Sequence, residues 1–154
     1  MKLSEQFCEQ SEKVQSIDDA AKELYLLESN GRGQIEFHGP TMHPFLQDGD
    51  LLTVTAVNWN DIRVGDIITY RFKDKYPTYR VFRKKKSSLM MIADNWPNYS
   101  GEIDAEDVIG RVTEIRRGDI LLSSDMRAWQ SASSRVIWKR RLKELRNYLS
   151  QLIK

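Results

Sequence analysis

Cysteine occurs once in this sequence, at Cys8, and histidine twice, at His38 and His43. The single cysteine excludes an internal disulfide and a cysteine-based structural zinc site. Neither histidine stands at a metal-ligand spacing from nearby acids, so no metal and no other cofactor is expected. Long hydrophobic runs are also missing: none approaches the ~20 residues that a membrane-spanning helix needs. The N-terminal stretch MKLSEQFCEQSEK lacks the continuous apolar segment of a signal peptide. These absences point to a cytoplasmic protein without a transmembrane segment.

What is present suits one domain with appended helices. Of 154 residues, 40% are hydrophobic and 30% charged, enough to bury a core. The net charge of +2 is unevenly spread. Residues 135–154 carry Arg135, Lys139, Arg140, Arg141, Lys143, Arg146 and Lys154 against Glu144 alone, a net of +6 that leaves −4 for the rest. Affinity for an anionic surface therefore belongs to the tail, with a location peripheral to the membrane as its consequence. Arg83-Lys84-Lys85-Lys86 reads as a solvated hairpin turn. No nucleic-acid recognition motif accompanies the charge, so nucleic acid is not an expected partner.

Ser16-Ile17-Asp18-Asp19 has capping-box spacing, and apolar residues at helical period lead from Ala20 to Leu27 before the stop Asn30-Gly31. A helix is expected over 17–29, and residues 1–33 form an N-terminal helical segment. Residues 34–122 then read as short strands. LLTVTAV (51–57), IITYRF (67–72), TYRVF (78–82), LMMIA (89–93) and VIGRVTEI (108–115) are rich in β-branched and aromatic residues. Gly49-Asp50, Gly65-Asp66 and Gly118-Asp119 each read as a turn feeding a strand. Residues 123–154 complete the chain: a Ser-rich connector at 123–134, then a basic amphipathic helix with Ser134 as its N-cap. Trp138, Leu142, Leu145, Leu149 and Leu152 make one apolar stripe on that helix. The stripe has three readings: docking on the domain itself, association with a second copy or partner protein, or contact with an anionic membrane surface.

The stretch GPTMHPFLQDGD (39–50) combines Gly39, Met42, Pro44, Leu46, Gly49 and Asp50 around Thr41. It resembles the nucleophile region of the signal peptidase I and LexA-type serine peptidases, Gly-x-Ser-Met-x-Pro-x-Leu-x-x-Gly-Asp. Downstream, VGDIITYRF (64–72), PTYRVF (77–82) and IADNWPNYSGEIDAEDVIGRV (92–112) are similar to later motifs of that family, in the family's order. The resemblance implies a mainly β fold: a signal peptidase/LexA-type β domain with flanking N- and C-terminal helices. It also implies that a peptide or protein segment is the ligand, held near Gly39, Pro40, Met42, His43 and Pro44. Gly49, Asp50, Gly65, Asp66 and Asp94 fall on its structural turns, and Asp94, Asp104, Glu106 and Asp107 are expected at turns and on the surface.

Two departures bear on the chemistry. Thr41 stands where the family has its serine nucleophile, and Tyr79 where it has a lysine or histidine general base. Threonine can attack a carbonyl, although its methyl restricts χ1. Tyrosine is the harsher change: forming phenolate near neutral pH, about three units below a reference pKa near 10, costs roughly 4 kcal/mol. Loss of a nucleophile or base from a coupled site can cost on the order of 10⁶ in rate. The candidate bases His43, Lys73, Lys75 and Lys84 to Lys86 do not match the family's position. The expectation is a peptidase-like pseudo-enzyme that binds a peptide in a vestigial cleft. The alternatives are an active endopeptidase using Thr41 on a dedicated substrate, and a docking module acting through residues 135–154. Full signal peptidases carry a membrane anchor and LexA-type repressors a helix-turn-helix; neither is legible here.

Overall fold

Among the described residues, the strand-rich middle of the chain folds as eight strands, all pairing antiparallel, followed by one long helix. The computed structural model describes residues 31–73, 75–96 and 100–153; the expected N-terminal helix lies outside them. The strands are β1 (Arg32–Glu36), β2 (Leu51–Thr55), β3 (Ile67–Tyr70), β4 (Thr78–Lys84), β5 (Ser88–Ile92), β6 (Ser100–Asp104), β7 (Val108–Arg117) and β8 (Ile120–Ser123). Their order across the sheet is β1-β2-β7-β3-β4-β5-β6, with β8 also on β7. Long β7 organises the whole. One edge pairs with β2, while the other pairs with β3 over Val108–Arg111 and with β8 over Glu114–Arg117. The protein is mainly β.

The run TYRVF has both faces covered, which explains why it is almost continuously apolar. Tyr79 and Val81 of β4, with Leu89 and Met91 of β5, enter the main core alongside Leu52, Ile68 and Ile115. Phe82 and Ile92 face the other way and meet Ile137 of the C-terminal helix, α1 (Arg127–Leu152). The helix thus begins well before the stripe residues, and the expected connector is mostly helix. Its N-cap is Met126, not Ser134. Serines 131, 133 and 134 have the composition of a linker, but Ser133 is a buried docking residue. Small polar side chains let a helix approach a sheet closely, and composition alone does not reveal this.

β6 was not anticipated, because SGEID is poor in strand-forming residues. Its pairing with β5 supplies the order, from Ser88 opposite Asp104 to Ile92 opposite Ser100. Glu102 adds side-chain bonds from Ser88 Oγ (2.6 Å) and Lys85 Nζ (3.2 Å). These bonds hold the Glu102 carboxyl below the usual carboxylate range. Any stabilisation they bring is present at neutral pH and fades as the pH falls through the lowered value.

Gly110 marks the closest approach between strands. A Cβ there would lie 2.6 Å from the Thr55 carbonyl oxygen and 2.8 Å from Val54 Cγ1. The register of β2 on β7 shifts at Thr53/Val54, which brings β2 over this glycine. Gly110→Ala is therefore expected to destabilise the fold by about 1–3 kcal/mol, as overpacking does. Urea unfolding would measure it, and an unchanged midpoint would show that the two strands can separate at no cost.

Candidate functional site

The Thr41 turn is a loop closed at its neck. Phe37 N donates to Asp50 O (2.8 Å) and Gly49 N to Phe37 O (2.8 Å), so the chain leaves β1 and returns to β2 through one gate. Gly39 sits at φ +93°, in the left-handed region that favours glycine. Asp48 Oδ1 accepts from Gly39 N at 2.9 Å and lies 3.5 Å from His38 Nδ1. Within the loop, His43 N bonds Pro40 O and Leu46 N bonds Met42 O. Met42 and Leu46 are fully buried and pin the loop to the core, whereas Pro40, His43 and Pro44 are exposed. Thr41 is only 4% exposed. The His43–Pro44 peptide bond is cis.

Three aspartates that the sequence places at turns are each held by an arginine. Asp50, almost wholly buried, accepts Gln47 N (2.8 Å) and a two-pronged bond from Arg117, Nε to Oδ1 at 2.8 Å and Nη2 to Oδ2 at 2.7 Å. Arg117 Nη2 also reaches Phe45 O, tying the Thr41 loop to the end of β7. The Asp50 carboxylate raises the Arg117 pKa above its ordinary value, outweighing the opposing effect of burial. Asp66 repeats the pattern more weakly, accepting Arg63 N (2.9 Å) and Arg111 Nη1 (3.2 Å). A forked arginine–carboxylate pair is directional as well as strong, so the Asp50 turn is held in one geometry.

The third aspartate changes the reading of the site. Asp94 does not lie on the surface: its side chain is 2% exposed and that of Arg80 is 0%. Arg80 Nε and Nη2 donate to the two Asp94 oxygens, each at 2.7 Å, and Nη1 donates to Gly65 O (3.0 Å) and Ser133 Oγ (2.7 Å). The Phe45 ring covers the guanidinium with its centroid 4.6 Å from Cζ, and Trp129 meets Phe45 edge-on at 5.2 Å. One buried cation thus joins β4, the turn after β5, the Gly65 turn, the Thr41 loop and α1. The turn after β5 continues the connection: Asn95 N bonds Thr41 O (3.0 Å), Asn95 Nδ2 bonds Pro40 O (3.0 Å), and Asp94 N approaches Met42 Sδ (3.5 Å).

Tyr79 precedes Arg80 on β4, opposite Ile68 of β3, and is 1% exposed. Its ring centroid is 6.2 Å from that of Tyr70. Beside it, Thr69 and Thr78 share a buried hydroxyl contact at 2.8 Å. Of the lysines considered as substitute bases, Lys84 and Lys85 are engaged elsewhere. Lys84 Nζ bonds the carbonyl oxygens of Trp59 and Ile62 and lies over the Trp59 ring, and Lys85 pairs with Glu102. His43 is exposed. A cleft of about 800 Å³ opens instead between α1, β7 and the Asp66 turn, where Asp66, Arg111, Asp125 and Arg141 line it without Thr41 or Tyr79.

α1 braces the same turn. Arg140 Nη2 donates to Ala93 O (3.0 Å) and Trp96 O (3.1 Å), on either side of Asp94 and Asn95. Burial lowers the Arg140 pKa, opposed by the nearby Asp94 and Glu144 charges. Farther along, Glu144 accepts from Arg83 at 2.6 Å across an exposed pair.

The sequence matches the peptidase S24-like family over residues 4–113. The chain therefore belongs to that family, and its mainly β sheet is the corresponding fold. No curated protein matches it. Arg80, Ser133 and Arg140, which tie the Thr41 loop to β4 and α1, are not among the residues that the sequence motifs single out. Arg80 had a legible signal, a lone cation inside the apolar strand TYRVF, which calls for a buried counter-ion.

Proposed function

We propose that this S24-like chain binds an extended peptide beside the Thr41 loop and cuts it poorly or not at all. The observation that carries the reading is the burial of both positions that would do the chemistry. Thr41 is 4% exposed and Tyr79 1% exposed, within a scaffold of fully formed arginine–aspartate pairs. A tyrosine packed in the core is a poor proton acceptor near neutral pH. The peptide has an edge to follow: among the described residues β1 pairs only with β2, and it runs directly into Phe37 and the loop. Addition of a strand along β1 would lead a ligand toward Thr41, with main-chain bonds for affinity and side-chain pockets for selectivity.

The test is cleavage of a diverse peptide pool read by mass spectrometry. Wild type is expected to leave the pool intact and to retain some of its peptides on a column. Cleavage by wild type that disappears in Thr41→Ala would instead make this a threonine-dependent endopeptidase. A pool neither cut nor retained would remove the peptide-binding reading.

A further inference from the structure

Apart from Trp138, which stands at the rim of the cleft beside the Asp66 turn, the apolar stripe of α1 does not face the domain. Trp129, Ser133, Ile137, Arg140 and Glu144 make the contacts with the sheet and its turns. Trp138, Leu142, Leu145, Leu149 and Leu152 are between 46 and 63% exposed. At about 100° per residue the centres of the two faces lie roughly 140° apart. The helix is apolar on two nearly opposite sides, and one of them is uncovered by any described residue. Beyond Glu144, every residue up to Ile153 is exposed. The stripe also lies outside the segment that matches the S24-like family, which ends at residue 113.

We propose that this outer face of α1 docks on an anionic lipid bilayer. Charge decides the occupant. Exposed Lys139, Arg141 and Arg146 flank the stripe, and exposed Arg135 lies one turn earlier. The only acid on α1, Glu144, is turned inward to Arg83. A second copy fits poorly: in a coiled coil seamed by the stripe, Lys139, Arg141 and Arg146 fall at the positions beside the seam. In a parallel pair Arg141 of one copy would meet Arg146 of the other, and no acid stands at any position beside the seam to offset them in either orientation. A bilayer rich in anionic headgroups matches this pattern, taking leucines and a tryptophan into its interface and the flanking cations at its surface. The domain then sits on the far side of the helix, with the Arg140-braced turn between it and the bilayer-bound face.

The experiment is co-sedimentation of the full chain with vesicles containing about 30 mol% phosphatidylglycerol in phosphatidylcholine, and with phosphatidylcholine alone. Binding to the anionic vesicles only is expected, weakening as salt rises through about 0.15 M. Leu145→Glu with Leu149→Glu should reduce partitioning at least tenfold. Lys139→Gln with Arg146→Gln should reduce it about thirtyfold. All four positions are exposed, so the variants should keep the wild-type circular dichroism and melting curve. Brominated acyl chains should quench wild-type tryptophan emission, and Trp138→Phe should remove that quenching. The proposal is overturned if wild type stays in the supernatant, or if the double-glutamate variant sediments as well as wild type. It is equally overturned if sedimentation velocity shows a dimer that the glutamates dissociate while vesicles bind nothing. None of these readouts depends on peptide binding at the Thr41 loop.

Discussion

Asp94→Ala should cost about 3–5 kcal/mol of folding stability, which for a chain of this size lowers the melting temperature by roughly 6–20 °C. The substitution leaves the Arg80 guanidinium in place, with Nε and Nη2 stripped of their acceptors in a site where its side chain is 0% exposed. An uncompensated buried charge costs far more than the net contribution of the intact pair. Removing both charges separates the two quantities: Arg80→Met with Asp94→Leu should recover most of the loss. Urea unfolding of wild type, Arg80→Met, Asp94→Leu and the double variant closes the cycle. A loss under about 1 kcal/mol for Asp94→Ala would mean that water reaches Arg80. The turn that Asp94 anchors also holds Thr41 through Asn95, so peptide retention should fall even in folded preparations of the single variants.

Thr41→Ser combined with Tyr79→Lys is expected to create cleavage about 10²–10⁴-fold above wild type, the range that a positioned general base supplies. The serine removes the methyl that crowds the hydroxyl. The lysine replaces a buried phenol next to Tyr70 with an amine that burial drives toward its neutral, proton-accepting form. Arg80, immediately beside it, is already neutralised by Asp94 and does not need to move. Either substitution alone should stay silent, because nucleophile and base act as a unit. Mass spectrometry of the same peptide pool reads the outcome. A folded but silent double variant would show that the two positions are not aligned on a common substrate. Wild-type cleavage at the rate of the double variant would show that Thr41 already works with another base.

Much of the strand region was legible, for an identifiable reason. Strands alternate with period two and end at turns, and both signals are local; thus LLTVTAV, IITYRF and LMMIA coincide with β2, β3 and β5 to within two residues at their ends. The Gly-Asp turns were legible in the same way. The arginines that clamp them were not. Arg117 lies 67 residues from Asp50 and Arg111 lies 45 from Asp66. Local pattern carries no information about such pairings. β6 was missed because its order comes from pairing with β5 and not from its own composition.

For this protein, then, the sequence by itself determined the mainly β class, the turn positions and the ordered motifs that place it among S24-like peptidases. It also carried the resemblance by which Thr41 and Tyr79 are expected at the nucleophile and base positions. Tertiary structure decided which face of α1 is used. The conspicuous stripe from Trp138 to Leu152 remained outside, and Ser133, Ile137 and Arg140 went in. A helix face docks where its shape and polar groups match the surface opposite, and here that surface offers the Arg80–Asp94 pair, Phe82, Ile92 and two turn carbonyls. Hydrophobicity along a helix can show that a face is apolar. Only the assembled sheet, by supplying the partner for one face, leaves the other uncovered.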